Sequence, residues 1–236
     1  MTLMAVLADG PLRVAHLLVA AAWIGANIGL LYVSVAVRRK GLSAETRGEL
    51  VKALGFLELV VGVCLLLIIP LGIGFVYAAG LGLHDLGSGS ANALFWGLLA
   101  LTAAWIAAHW RENRELGAGM VATPFQRVYT PASWVLRLVF CGFFLITGAT
   151  SLAGSGIWAS DHIAWKSILL GFILGMERLT NYLFRDFGPV FAELVIGGET
   201  PERFDRFNRL FLNAYPPVLT LYAAIIAGAI IGVTGL

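Results

Sequence analysis

A small set of polar side chains interrupts otherwise apolar stretches of this chain, and their spacing is ordered. His16, Trp23 and Asn27 lie seven and four residues apart. At about 100° per residue that spacing puts all three on one helical stripe, and Ser34 continues it. Lys166 and Glu177, eleven apart, share an azimuth in the same way, with His162 one turn before the lysine and Asn181 one turn after the glutamate. Two helices with a polar stripe each predict that the stripes face one another. Imidazoles from separate segments suit two chemistries: ligation of haem iron by one ring, or copper binding by His16, His84 and His162 together. Met1 and Met4 would add soft donors to the copper site. Glu58 and Glu177 have a third use, as structural ion pairs with Arg137 and Arg178.

The elements that must position these residues follow from composition. Of 236 residues, 59% are hydrophobic and 13% charged, and the mean hydropathy is +0.85. A soluble domain carries about 25% charged residues, so a soluble enzyme, a disordered chain and a nucleic-acid binder are excluded. Stretches free of Asp, Glu, Lys and Arg run over Val14–Val37, Leu59–His84, Leu86–Trp110, Leu138–Ser160 and Leu210–Leu236. Each exceeds the roughly 20 apolar residues that cross a hydrocarbon core of about 30 Å. A sixth stretch, Ile163–Phe184, is apolar except for Lys166, Glu177 and Arg178. Gly82, His84, Asp85, Gly87, Ser88 and Gly89 form a polar turn that divides the second span from the third. The expected fold is all-α: a polytopic membrane protein with six transmembrane helices in one bundle. The spans fall near 12–37, 55–80, 91–110, 134–156, 163–184 and 214–236, with a cytoplasmic segment at 185–213.

Charge asymmetry orients the bundle. Arg38, Arg39, Lys40, Arg47 and Lys52 follow the first span, Arg111, Arg114 and Arg127 the third, and Arg185, Arg203, Arg206 and Arg209 the fifth. Only Arg13 and Lys166 stand toward the other side. Basic loops stay in the cytoplasm, so both termini are expected outside, as in a protein of the bacterial inner membrane. The first stretch reads as a retained helix rather than a signal peptide, because Asp9 offsets Arg13. His16, His84, Asp85, Asp161, His162 and Lys166 then lie toward the outside, and Glu58, His109, Arg137, Glu177 and Arg178 toward the inside. Simpler roles also exist: His84 in a solvated turn, His109 at the interface, His162 and Lys166 snorkelling outward. Cys64 and Cys141 lie within spans, where packing is their expected role.

The first span, His16-Leu-Leu-Val-Ala-Ala-Ala-Trp23-Ile-Gly25, resembles the first helix of HemJ-type protoporphyrinogen oxidases and of the membrane domain of copper-resistance protein D. Thr130-Pro131-Ala132 ahead of an apolar helix ending in Thr147-Gly148, the pair Trp165-Lys166, and Asn213-Ala-Tyr-Pro216 resemble later HemJ elements in order. Residues 54–110 would be an insertion. The resemblance implies a haem b oxidoreductase or electron-transfer protein. His16 would be an axial ligand, with Trp23 and Asn27 along its stripe. Lys166 would neutralise a haem propionate or anionic substrate, and His109 or Glu177 would hold or tune the inner side. Where the HemJ pattern has a second histidine, eleven residues after the lysine, this chain has Glu177. The copper-resistance resemblance needs chiefly His16 and the helix led by Lys166, and the second expectation is copper handling with His16, His84 and His162 as an outer site. A third expectation is a non-catalytic helical subunit that packs against a membrane partner or a second copy of itself. The lipid bilayer is common to all three.

Overall fold

A computed structural model describes residues 10–83, 86–116 and 123–234. Its elements are seven helices: α1 (Pro11–Val37), α2 (Ala44–Ala78), α3 (Ser88–Leu116), α4 (Pro124–Leu152), α5 (Asp161–Leu183), α6 (Phe187–Ile196) and α7 (Pro201–Thr234). Helices α1, α2, α3, α4 and α7 each contain a segment long and apolar enough to cross a bilayer. Helix α5, with 23 residues, is about 34 Å long at 1.5 Å per residue; its length suffices, but charged side chains interrupt it. Among the described residues no strand occurs, and the chain is an all-α polytopic bundle.

Three helices begin well before their apolar stretches. Helix α2 starts at Ala44 rather than near 55, α4 at Pro124 rather than 134, and α7 at Pro201 rather than 214. Caps account for two of these starts. Ser43 accepts a hydrogen bond from the Thr46 amide at 3.1 Å. Thr123 and Gln126 form a reciprocal capping box at 3.2 and 3.0 Å. Hydropathy marks where lipid begins; caps mark where the helix begins.

The outward faces are apolar. Leu18, Ile28 and Ile146 are each more than 60% exposed, an arrangement that water would penalise and hydrocarbon does not. Lipid bilayer is therefore the environment of this multi-pass chain. Inside, Trp23 of α1, Leu65 and Ile69 of α2, Phe144 of α4, Leu174 of α5 and Ile225 of α7 close one core. Glycines set the closest approach, between α4 and α5. A Cβ on Gly148 would stand 2.7 Å from the Ala164 carbonyl oxygen, and one on Gly171 would stand 2.9 Å from that of Cys141.

Both ends are tied. At the end away from the basic loops, the outer end in the expected orientation, the Leu83 amide donates to the Ile157 carbonyl at 2.8 Å and the Ala159 amide to that of Leu81 at 2.9 Å. This joins the α2–α3 and α4–α5 loops over the buried Trp158. At the basic, inner end, α6 and the first half of α7 pack Phe187, Phe191, Phe204, Phe207 and Phe211 against Val37 and Leu50. Arg47, only 2% exposed, seals that contact. Its guanidinium donates to the Val37 carbonyl at 2.7 Å and to Glu199 at 2.6 Å. It thereby caps α1, whose final carbonyls have no helical partner.

Candidate functional site

The polar side chains gather into two groups, one in each half of the bundle. In the outer group His16 reaches from α1 to α2. Its ring lies over Gly72, where a Cβ would be 3.3 Å from Cε1, and stacks on Phe75 with centroids 6.5 Å apart. Its Nδ1 is buried and has no hydrogen-bond partner. Lys166 comes from α5 to within electrostatic range of that ring. Its ammonium packs against Gly232 of α7, whose Cβ position is 2.9 Å from Nζ. Helices α1 and α5 do not pack directly along their length, so the two stripes do not face one another, and Lys166 acts on His16 through its charge.

Deeper members of the α1 stripe behave differently. Trp23 is buried and its indole N–H has no partner. Asn27 donates back to the Trp23 carbonyl at 2.9 Å, its own carbonyl accepts the Tyr222 hydroxyl at 2.7 Å, and Ser34 donates to the Leu31 carbonyl at 2.7 Å. Asn27 and Ser34 are therefore occupied within their helix. The Trp23 indole N–H and the Lys166 ammonium are hydrogen-bond donors, which favour an acceptor, above all a carboxylate.

The inner group centres on Glu177 of α5. One carboxylate oxygen accepts hydrogen bonds from Arg137 of α4 and, at 2.8 Å, from Arg178 of its own helix. Both guanidiniums are nearly sealed from solvent, at 4% and 8% exposure. Arg137 also lies 5.5 Å from the Trp105 ring centroid and Arg178 5.2 Å from that of Trp134. A carboxylate held this way is an ion-pair partner rather than a metal ligand. The second expected partner, Glu58, forms no such pair: it faces Glu177, Arg137, Arg178 and His109 without a direct bond to them. His109 Nδ1 stands 3.5 Å from Glu112 of its own helix, and Glu112 also accepts the Thr130 hydroxyl at 2.7 Å. The other side of the His109 ring rests on Gly62 of α2, 2.8 Å from a Cβ position there.

These contacts fix the separation of the two histidines. His16 meets α2 at Gly72 and His109 meets it at Gly62, ten residues or about 15 Å apart along the axis. Axial ligands of one iron have their nitrogens about 4 Å apart, at metal–nitrogen lengths near 2 Å. His16 and His109 therefore do not bracket a single haem. Of the residues expected to hold haem, His16 and Lys166 lie in the outer half of the bundle, whereas His109 and Glu177 belong to the other half.

For copper, His84 lies outside the described residues. His162 sits in the first turn of α5, and among the described residues no three His, Cys, Asp or Glu side chains converge on a metal-sized site. Sequence reasoning did not single out Glu112 or Arg47. Glu112 carried the signal of sharing a helix face with His109 three residues before it; Arg47 carried none, since its partner Glu199 is 152 residues away. Compared with known proteins, the chain matches no family model, no curated protein and no solved structure.

Proposed function

We propose that this chain is a haem-binding oxidoreductase or electron-transfer protein of the bacterial inner membrane, with the haem held in the outer half of the bundle. The observation that supports this reading is the His16 ring: a buried imidazole nitrogen without a partner, within electrostatic range of the Lys166 ammonium, inside a membrane bundle. Ionisable and imidazole groups in a span are expensive to bury and are usually there for a ligand. His16 would bind iron and Lys166 would pair with a propionate carboxylate. The glycines under both side chains, Gly72 and Gly232, leave the room that a larger residue would occupy. Bound haem supplies one-electron chemistry whose potential depends on its axial ligand and burial. The protein's contribution is the imidazole, the cation and a surround closed above by the joined outer loops.

The test is the absorption spectrum of the purified full-length chain, oxidised and reduced with dithionite. A stoichiometric Soret band with sharpened reduced bands is expected in the parent protein and in His109→Gln. It should be lost in His16→Ala and weakened in Lys166→Ala. A well-folded parent protein without haem overturns the proposal, as does full haem content in His16→Ala.

A further inference from the structure

We propose that Glu112, His109 and Glu58 form a relay that brings one exchangeable proton from the inner face of the membrane into the bundle. The first argument is charge. Among the described residues, the inner group holds three carboxylates, Glu58, Glu112 and Glu177, and two guanidiniums, Arg137 and Arg178. Glu177 is matched by both arginines. Glu58 has no direct bond to either guanidinium, and Glu112, beside Arg111 in sequence and in electrostatic range of Tyr129 of α4, bonds to neither; an uncompensated charge in such a setting is costly. A single proton compensates it, and His109, Glu112 and Glu58 are the groups that can carry that proton.

The second argument is geometry. Glu112 and His109 lie on one face of α3, 3.5 Å apart at Nδ1. Glu112 is near the inner end of its helix and partly exposed, at 17%, so it is the entrance. The far edge of the His109 ring abuts Gly62 on α2, and Glu58 lies one helical turn before Gly62 on the same face. The imidazole therefore spans from the entrance to the α2 face that carries Glu58. Glu58 itself is exposed, and His109 of α3, Arg137 of α4 and Glu177 and Arg178 of α5 lie within electrostatic range of it. Exposed and without a hydrogen-bond partner among the described residues, the Glu58 carboxylate is free to take a proton. His109 accepts a proton at Nδ1 from Glu112 and releases the one on Nε2 toward Glu58. The ring is left neutral in its other tautomer, Glu58 becomes the acid, and Glu112 becomes a carboxylate ready for the next proton from water.

This relay is independent of the haem proposal, and its test is made on protein that lacks the proposed axial ligand. Full-length chain carrying His16→Ala, reconstituted in lipid vesicles, is followed by infrared spectroscopy as the bulk pH is changed and water is replaced by heavy water. A carboxylic C=O stretch that titrates with bulk pH and shifts in heavy water is expected. It should be absent after Glu58→Gln, and its exchange should slow at least about tenfold after His109→Phe, His109→Gln or Glu112→Gln. If His109→Phe does not fold by circular dichroism, His109→Gln and Glu112→Gln carry the measurement. The proposal is overturned if no carboxyl titrates, if the band survives Glu58→Gln, or if the exchange rate ignores both His109 and Glu112. Haem loss in the His16→Ala protein affects none of these outcomes.

Discussion

Replacing Glu177 by Gln tests whether the inner half of the bundle is sealed. The substitution keeps the side-chain shape and removes the charge that Arg137 and Arg178 share. At an effective dielectric of about 20 and a charge separation of about 4 Å, each of the two attractions is worth about 4 kcal/mol. Both are lost, and the two guanidiniums, now without the anion between them, repel. Against this stands the desolvation of the carboxylate, several kcal/mol, which no longer has to be overcome. The net loss expected is about 3–5 kcal/mol, the magnitude of breaking a buried ion pair by removing one partner. That lowers the folding equilibrium constant about a thousandfold. Unfolding in mixed micelles with increasing dodecyl sulfate, followed by circular dichroism, measures it. A cycle with Arg137→Met should show a coupling of about 2 kcal/mol, because the two side chains bond directly. A loss of less than about 1 kcal/mol, the value for exposed pairs, would refute the reasoning: the guanidiniums would then be reaching water or lipid headgroups.

Two further outcomes follow from packing. Arg47→Ala removes the bonds to Val37, Arg39 and Glu199 and should release α6 and the start of α7, read as faster proteolysis within 197–200 than in the parent protein. Gly148→Val drives a branched side chain against the Ala164 carbonyl and the Ile168 amide nitrogen, 2.7 and 3.0 Å from the Cβ position. Backbone cannot retreat as a side-chain tip can, so a loss of about 1–3 kcal/mol is expected in the same micelle titration, whereas Gly142→Ala, with open space around it, should be nearly neutral.

Most of the fold was legible because the bilayer filters the sequence so strongly: backbone can cross lipid only as closed helix or barrel, and the apolar stretches are too long for strands. The helix starts were less legible, since Ser43 and Thr123 act outside the apolar stretches that hydropathy detects. Helix α6 was hidden inside a segment of mixed charge, 185–213, and is held by aromatic contacts with α7 rather than by its own pattern. In the candidate site, the pairing of Glu177 with both arginines could be read from the residue types. A stripe specifies a face but not the relative height of two helices, so the separation of His16 from His109 was illegible. Glu58 was ambiguous for a related reason. Helix α2 is apolar on nearly all sides, which leaves its rotation to be fixed by neighbours such as His109 on Gly62 and His16 on Gly72.

That shared helix bears on how the two halves of the bundle act on each other. Between them lies the apolar core of Leu65, Ile69, Leu174 and Ile225, and no hydrogen-bonded chain among the described residues crosses it. A unit charge gained at the His16–Lys166 end is felt at His109, about 15 Å away, as about 1 kcal/mol at an effective dielectric near 20. This is less than a tenfold change in the affinity for a proton. Electrostatics alone therefore couples the ends weakly. Stronger coupling requires motion, and α2 is the element able to transmit it, because its Gly62 and Gly72 carry the two imidazoles on one rigid rod. A shift of α2 along its axis would move both ring contacts together. Pro70, buried between them, removes one backbone hydrogen bond from the rod and is where such a shift could instead be absorbed as a bend. Coupling between the ends is therefore a question about the stiffness of α2 at Pro70 rather than about charge.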